Sequence, residues 1–220
     1  MADDACEISV LATGFGPFLS HTDNPSWEVA KAFAGALGED FACRAERLDV
    51  SFDIAREFTR RVFSRADDAR VSAPDLIVHF GLAASSKSLK FEGFAYNRRG
   101  KTSDSADAGV RKSLDGILIE EGRENYQTGV DVARLTELFA ESGAPVCGLD
   151  ACVSQDPGDY VCNAIYYHSL RAAAQARAHG VQTQVLFVHV PALEAVEASR
   201  LGAEVAACFR RYLAEGDARV

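Results

Sequence analysis

The chain has 220 residues, with 48% hydrophobic and 25% charged side chains and a formal net charge of −9. That profile is globular, long enough to bury most of its unfolded surface in one domain, 1–220, and too acidic for nucleic acid or an anionic membrane as main partner. Six cysteines are too sparse for a disulfide scaffold, and none forms C-x-x-C, so zinc and redox motifs find no support. The acidic start, Met1 to Glu7, does not resemble a signal peptide. No apolar run approaches the ~18 residues of a membrane span. The expected compartment is the cytoplasm, with all six thiols reduced.

Ile8 to Ala12 reads as a first buried strand, followed by Thr13-Gly14-Phe15-Gly16-Pro17-Phe18 and a polar loop through Asn24-Pro25-Ser26. The Gly14-Phe15-Gly16 turn lacks the third glycine of a dinucleotide site, and Pro17 intrudes, which argues against nucleotide binding. Phe15 and Phe18 fall in this turn, where aromatics cap a core or line a pocket. Trp27 to Leu37 has helical apolar spacing, with Ser26 as expected N-cap and Gly38 as stop. A strand is predicted over Ala42 to Val50, a helix over Phe52 to Phe63, and a strand over Asp75 to Phe80, ended by Gly81.

Leu89 to Asn97 alternates, placing Lys90, Glu92, Phe94 and Tyr96 on one side. Glu92 is then either a solvated strand residue or a placed acid. Arg98 to Gly109 is polar and glycine-punctuated, and its length marks it as a candidate functional loop. A helix is predicted over Val130 to Glu141 and a strand over Ala144 to Val153.

After that strand the chain turns through Pro157-Gly158 into a helix predicted over Asp159 to Ala178, with Asp159 as expected N-cap. Cys162 falls in its first turn, where the helix dipole favours thiolate. Two readings stand at this point: a small buried residue, or a nucleophile. Val185 to Val190 is a last apolar strand, stopped by Pro191, and Leu193 to Leu213 a closing helix. The alternation of strands and helices predicts an α/β fold with helices on both faces of the sheet.

A cysteine nucleophile needs an imidazole partner and a group to orient it. Of the five histidines, His21 and His179 lie in polar segments. His168 sits six positions beyond Cys162, about 240° around the helix, and points away. His79 and His189 both lie near the carboxyl end of a buried strand, where open α/β sheets place their sites, and periodicity does not separate them.

Four blocks carry a resemblance. They are T-G-F-G-P-F at 13–18 with N-P-S-W-E at 24–28; H-F-G-L-A at 79–83 leading to F-E-G-F-A-Y-N at 91–97; S-Q-D-P-G-D-Y-V-C-N at 154–163; and F-V-H-V-P at 187–191. In content and order they resemble the pyroglutamyl peptidase I family of cytosolic cysteine peptidases, which remove N-terminal pyroglutamate. The resemblance implies a three-layer α/β/α sandwich around a mostly parallel, mixed central sheet. It implies no metal or organic cofactor, peptides with N-terminal pyroglutamate as substrates, and often a homotetramer. By position, Cys162 resembles the nucleophile, His189 the general base and acid, and Glu92 the orienting acid, while His79 falls on a non-catalytic position. Phe15 and Phe18 resemble the aromatic walls of the ring pocket, and Asn24 a polar position beside it. An arginine near residue 98 assists the oxyanion in the family, and Arg98 and Arg99 are both candidates. The chain departs from many bacterial members at Ser154-Gln155-Asp156-Pro157-Gly158, where they read S-N-T-A-G, and after Asn97. That second departure motivates an alternative, a catalytically weak paralogue binding pyroglutamyl or related cyclic ligands. A nucleoside phosphorylase on a similar sheet would need a phosphate site, and no convincing one is found.

Overall fold

The computed structural model describes residues 8–18, 23–39, 41–63, 73–100, 116–142 and 148–216. The strands are β1 (Ile8–Phe15), β2 (Phe41–Leu48), β3 (Leu76–Leu82), β4 (Leu89–Glu92), β5 (Phe94–Tyr96), β6 (Asn125–Gln127), β7 (Ala151–Ser154) and β8 (Gln184–Val190). The helices are α1 (Pro25–Leu37), α2 (Phe52–Phe63), α3 (Val132–Ala140), α4 (Val161–Arg177) and α5 (Ala195–Ala214). Six strands form one sheet in the order β2-β1-β3-β8-β4-β7, and β5 pairs with β6 in a small second sheet. β2, β1, β3 and β8 run parallel; β4 is antiparallel to β8 and parallel to β7. The sheet is mostly parallel and mixed, as expected.

Its inner strands are apolar on both sides because both faces are covered. Val10, Ala12, Val78, Leu186 and Val188 pack into one core with Phe33 of α1, Leu138 of α3 and Phe209 of α5. Leu11, Ile77, Val185 and Phe187, one residue out of step, pack into the other with Phe58 of α2 and Ile165 of α4. Two cores on opposite faces give three layers. Each fully buried phenylalanine contributes roughly 1.5–3 kcal/mol by burial.

Several local expectations shift. α1 begins at Pro25, and its N-cap is Asn24, not Ser26: Asn24 Oδ1 accepts from the Ser26 amide at 3.2 Å and from Ser26 Oγ at 2.8 Å. Ser26 Oγ also accepts from the Phe15 amide at 3.0 Å, fixing the end of β1 to the start of α1. Gly14 serves that junction: a Cβ there would lie 2.4 Å from the Ser26 carbonyl oxygen and 2.6 Å from Trp27 Cα. The glycine lets helix and strand touch, which explains it without a phosphate. β3 continues through Gly81 to Leu82. The run Leu89 to Asn97 divides at Gly93 into β4 and β5, which join different sheets. α3 starts later than expected because Asp131 caps it, accepting from the Arg134 amide at 3.0 Å. Of the strand expected over Ala144 to Val153, only Ala151–Ser154 forms β7; 143–147 and the 101–109 part of the expected loop lie outside the described residues. Among the described residues no helix is long and apolar enough to cross a membrane.

Candidate active site

β7 delivers the chain to a turn at 155–160, which feeds α4. Asp156 Oδ1 accepts from the Gly158 amide at 2.9 Å and pairs with the Arg98 guanidinium. The helix starts one residue later than expected, with Tyr160, not Asp159, at the N-cap in an extended conformation and no side-chain cap hydrogen bond. Asp159 is instead drawn outward, its carbonyl accepting from the Gly100 amide at 2.6 Å. The N-cap side chain thus does not occupy the first-turn amides of α4, the turn in which the half-buried Cys162 lies. Asn163, fully buried beside it, accepts from the Tyr96 amide at 2.8 Å and donates to the carbonyls of Tyr96 at 2.8 Å and Arg98 at 2.9 Å. It ties β5 to the start of α4.

His189, near the end of β8, faces α4 because it shares the parity of Val185 and Phe187. The β4–β8 register sets Lys90 opposite His189 and Glu92 opposite Phe187, so Glu92 reaches the imidazole diagonally. His189 Nδ1 donates to Glu92 Oε1 at 2.7 Å; Glu92 is fully buried and His189 is 6% exposed. Burial by itself lowers the His189 pKa. Hydrogen bonds to the Cys162 sulfur and to Glu92, and attraction to both, outweigh it and push the value up to about 9. The imidazole is therefore cationic at neutral pH and is hydrogen-bonded to the sulfur. The solvated-strand reading of Glu92 does not hold. Tyr166 Oη donates to the Glu92 carbonyl at 2.7 Å and fixes this end of β4 from α4.

His79 lies on the same face but deeper. Its Nδ1 bonds Thr13 Oγ1 at 2.7 Å and its Nε2 bonds Ser169 Oγ at 3.0 Å, and burial lowers its pKa to about 3. Both nitrogens are used and the ring stays neutral, which marks a core histidine. What periodicity left tied, depth along the sheet separates. His79 stands opposite Phe187, whereas His189 stands opposite Gly81. A Cβ on Gly81 would meet Phe187 Cζ at 2.5 Å and Cys162 Sγ at 2.9 Å. The bare backbone of Gly81 makes the space in which the sulfur sits. The sequence offered only a glycine at a strand end.

Phe15, Phe18 and Asn24 come together with Cys162 around a small cavity of about 40 Å³, to which Val50, Leu82 and Tyr160 also contribute. Phe18 packs on Tyr160 with ring centroids 6.4 Å apart, and Tyr160 on Phe52 at 5.7 Å. Phe15 is 3% exposed and belongs equally to the core beneath. Asn24 lines the cavity, but its amide also donates to the Gly16 carbonyl at 3.1 Å besides capping α1, so part of its capacity is structural. Arg98 turns to the 155–159 turn, with Nε donating to the Gly158 carbonyl at 3.1 Å, and stacks over Tyr96 at 4.7 Å. Arg99 lies over the Phe52 ring at 3.9 Å.

Fold and site together define an α/β protein with a cysteine at a helix start, a histidine–carboxylate pair beside it, and an apolar pocket at the sulfur. The chain belongs to the pyroglutamyl peptidase family, whose pattern it matches over residues 8–211. It is 29% identical to the pyrrolidone-carboxylate peptidase of Bacillus subtilis (strain 168), covering 83% of this chain and 77% of that one. It is 26% identical to the human pyroglutamyl-peptidase 1, covering 93% and 90%. Among solved structures, it superposes on the pyrrolidone carboxyl peptidase of Fervidobacterium islandicum AW-1 with a TM-score of 0.75 at 26% identity, covering 94% of this chain and 99% of that one. The pyroglutamyl peptidase I of Bacillus amyloliquefaciens shares the fold, with a TM-score of 0.73 at 24% identity over 92% of this chain and 96% of that one.

Proposed function

We propose that this chain is a cysteine exopeptidase that removes N-terminal pyroglutamate from peptides, with Cys162 as nucleophile, His189 as acid and base, and Glu92 as the group that orients His189. The observation that carries this reading is the line Glu92–His189–Cys162 ending at an apolar cavity. The pyroglutamyl ring enters between Phe15 and Phe18. It is flat and neutral, so aromatic walls favour it, while they penalise the charged amine of an ordinary N-terminus. The Cys162 sulfur attacks the carbonyl that joins the ring to the next residue. The amides at the start of α4 receive the developing oxyanion. The C–N bond breaks as His189 Nε2 gives its proton to the leaving amine, which departs as the shortened peptide. A thioester remains. Water then gives a proton to the now neutral His189 and attacks the thioester; pyroglutamate leaves and the thiolate–imidazolium pair is restored. Glu92 holds the imidazole with Nδ1–H pointing at it, so that Nε2 faces the reaction. Arg98 and Arg99 act, in this reading, by fixing the 155–160 turn and Phe52 around the oxyanion site. The proposal extends to cytoplasmic residence and to the homotetramer that the resemblance implies, which light scattering on the purified protein reads directly.

The test is release of fluorophore from a pyroglutamyl aminocoumarin amide, beside a Cys162→Ala control. Turnover that vanishes in the control supports the reading. A folded wild-type protein that releases nothing, yet is thermally stabilised by pyroglutamate, favours the binding paralogue.

A further inference from the structure

A second and larger cleft, of about 630 Å³, lies beside the cavity at Cys162 and shares Phe15 and Asn24 with it. From His189 the chain runs through Pro191 straight into one wall of this cleft, made by Ala192 to Ala195 and Glu197. The opposite wall is the start of α1, where Trp27 offers an apolar face. We propose that this cleft receives the residues that follow pyroglutamate in a peptide, and that its carboxylates favour a cationic side chain there. This inference rests on the peptidase reading given above.

The direction of the leaving chain carries the placement. With the ring held between Phe15 and Phe18 and the carbonyl at Cys162, the leaving amine lies at His189 Nε2, since Nδ1 is held by Glu92. Two residues beyond His189, Pro191 leads into Ala192, the first residue of the cleft wall, and this segment directs the peptide beyond that amine. Its volume lies within the range of small-molecule sites, enough for one or two residues. Charge carries the preference. Asp23, Glu28, Glu194 and Glu197 face the cleft against Arg47. Glu28 is paired with Lys31 at 2.8 Å. Glu194 and Glu197 form the capping box of α5, bonding backbone amides, and among the described residues neither is in an ion pair with a cationic side chain. The balance is negative on walls that exclude part of the solvent, and such a cleft concentrates cations.

The experiment compares kcat/KM for amidated pyroglutamyl-lysine, pyroglutamyl-alanine and pyroglutamyl-glutamate. The expected order is lysine, alanine, glutamate, with about a tenfold span at low ionic strength that narrows at about 0.5 M salt. Asp23→Asn combined with Glu194→Gln is expected to draw the lysine-to-glutamate ratio toward one. Gln keeps the capping acceptor, Asp23→Asn alone serves as second variant, and a ratio taken within one protein cancels any general loss. Equal kcat/KM for lysine and glutamate in the wild type, or a ratio unmoved by the variants, overturns the proposal. If the aminocoumarin amide is cleaved while the dipeptides show no charge order, only the cleft assignment fails. If a folded wild type cleaves neither, the peptidase reading fails and this inference with it.

Discussion

The Glu92 carboxylate accepts from His189 Nδ1 at 2.7 Å, across an antiparallel strand pair whose register sets neither residue opposite the other. This pair gives stability a defined dependence on pH. The His189 pKa stands at about 9, above the ordinary 6.5, so the folded state holds its proton more tightly than the unfolded chain. That contribution is complete below the unfolded value and is lost as pH rises through the folded one. His79, at about 3, and His168, lowered to about 4 by burial and then by Arg56 and Arg171, act in the opposite sense. Below about 6.5 the unfolded chain takes up protons these rings refuse, and stability falls. The histidines therefore place the maximum thermal midpoint near pH 6.5. Glu92→Gln is expected to flatten the alkaline arm. A midpoint that climbs steadily from pH 7 to 9 contradicts this.

The two strand histidines are separable by mutation. His189→Ala is expected to remain folded and lose about three orders of magnitude in kcat or more, as removal of a triad base does. His79→Ala strands Thr13 and Ser169 and opens a void, for a cost of about 2–4 kcal/mol in unfolding free energy. Its activity, measured well below its midpoint, should stay within a few-fold of wild type. The reverse pattern overturns the assignment.

The sequence carried the layers well, because buried strands and amphipathic helices write their burial into apolar spacing. The helices expected over Trp27 to Leu37 and Phe52 to Phe63 both form, and they bury Phe33 and Phe58. It carried the ends of elements less well. Asn24 outcompetes Ser26 as a cap because its side chain reaches both the helix amide and the Gly16 carbonyl, a contact that exists only once β1 and α1 have met. Asp159 loses the cap of α4 because its backbone is engaged by Gly100. Glu92 was visible as a strand residue but not as a buried one, because its burial depends on β4 pairing with β8, nearly a hundred residues away. Gly81 was legible only as a strand stop, which β3 runs through. Only the approach of Cys162 and Phe187 from other elements gives its missing side chain a meaning.

Alkylation distinguishes the thiols. Iodoacetamide is expected to modify Cys162 first, in step with loss of activity. It faces a cationic imidazole, whereas burial pushes the Cys43 thiol up to about 11 and burial, with the charge of Glu204, does the same to Cys208. Cys152 is half-buried and lies 3.6 Å from Ser88 Oγ. Peptide mapping at partial inactivation is the check. Labelling of Cys152 or Cys208 that tracks activity while Cys162 remains unmodified refutes the assignment.

Gly81→Ala tests the space around the sulfur. The added methyl cannot stay 2.9 Å from Cys162 Sγ and 2.5 Å from the Phe187 ring, so one of them must move. Overpacking of this kind costs about 1–3 kcal/mol. A nucleophile displaced by about an ångström loses on the order of a hundredfold in rate. The expected variant is folded, with a midpoint lowered by several degrees and kcat down about a hundredfold. Wild-type kcat in Gly81→Ala is incompatible with this placement of Cys162.

The two aromatic walls are expected to respond differently to truncation. Phe18 is half-buried and touches Tyr160 across the cavity, so Phe18→Ala removes a wall without opening the core. Losing roughly 1.5–3 kcal/mol of ring burial corresponds to about a ten- to hundredfold drop in kcat/KM for a pyroglutamyl amide. The thermal midpoint and the rate of Cys162 alkylation should hardly change, because His189 does not lean on that ring and Tyr160, at the N-cap of α4, keeps its packing on Phe52. Phe15 is 3% exposed and packs within the α2–α4 core. Phe15→Ala should therefore lose about 3–5 kcal/mol of stability in addition to ring recognition. Phe15→Leu is the cleaner probe: it keeps most of the volume while removing the flat face, so recognition should fall more than stability does. The measurements are kcat/KM, midpoint and alkylation rate for each variant. A well-folded Phe18→Ala or Phe15→Leu protein with unchanged kcat/KM removes that residue from the pocket. A Phe18→Ala protein that instead loses its midpoint and its thiol selectivity together makes Phe18 a core residue rather than a wall.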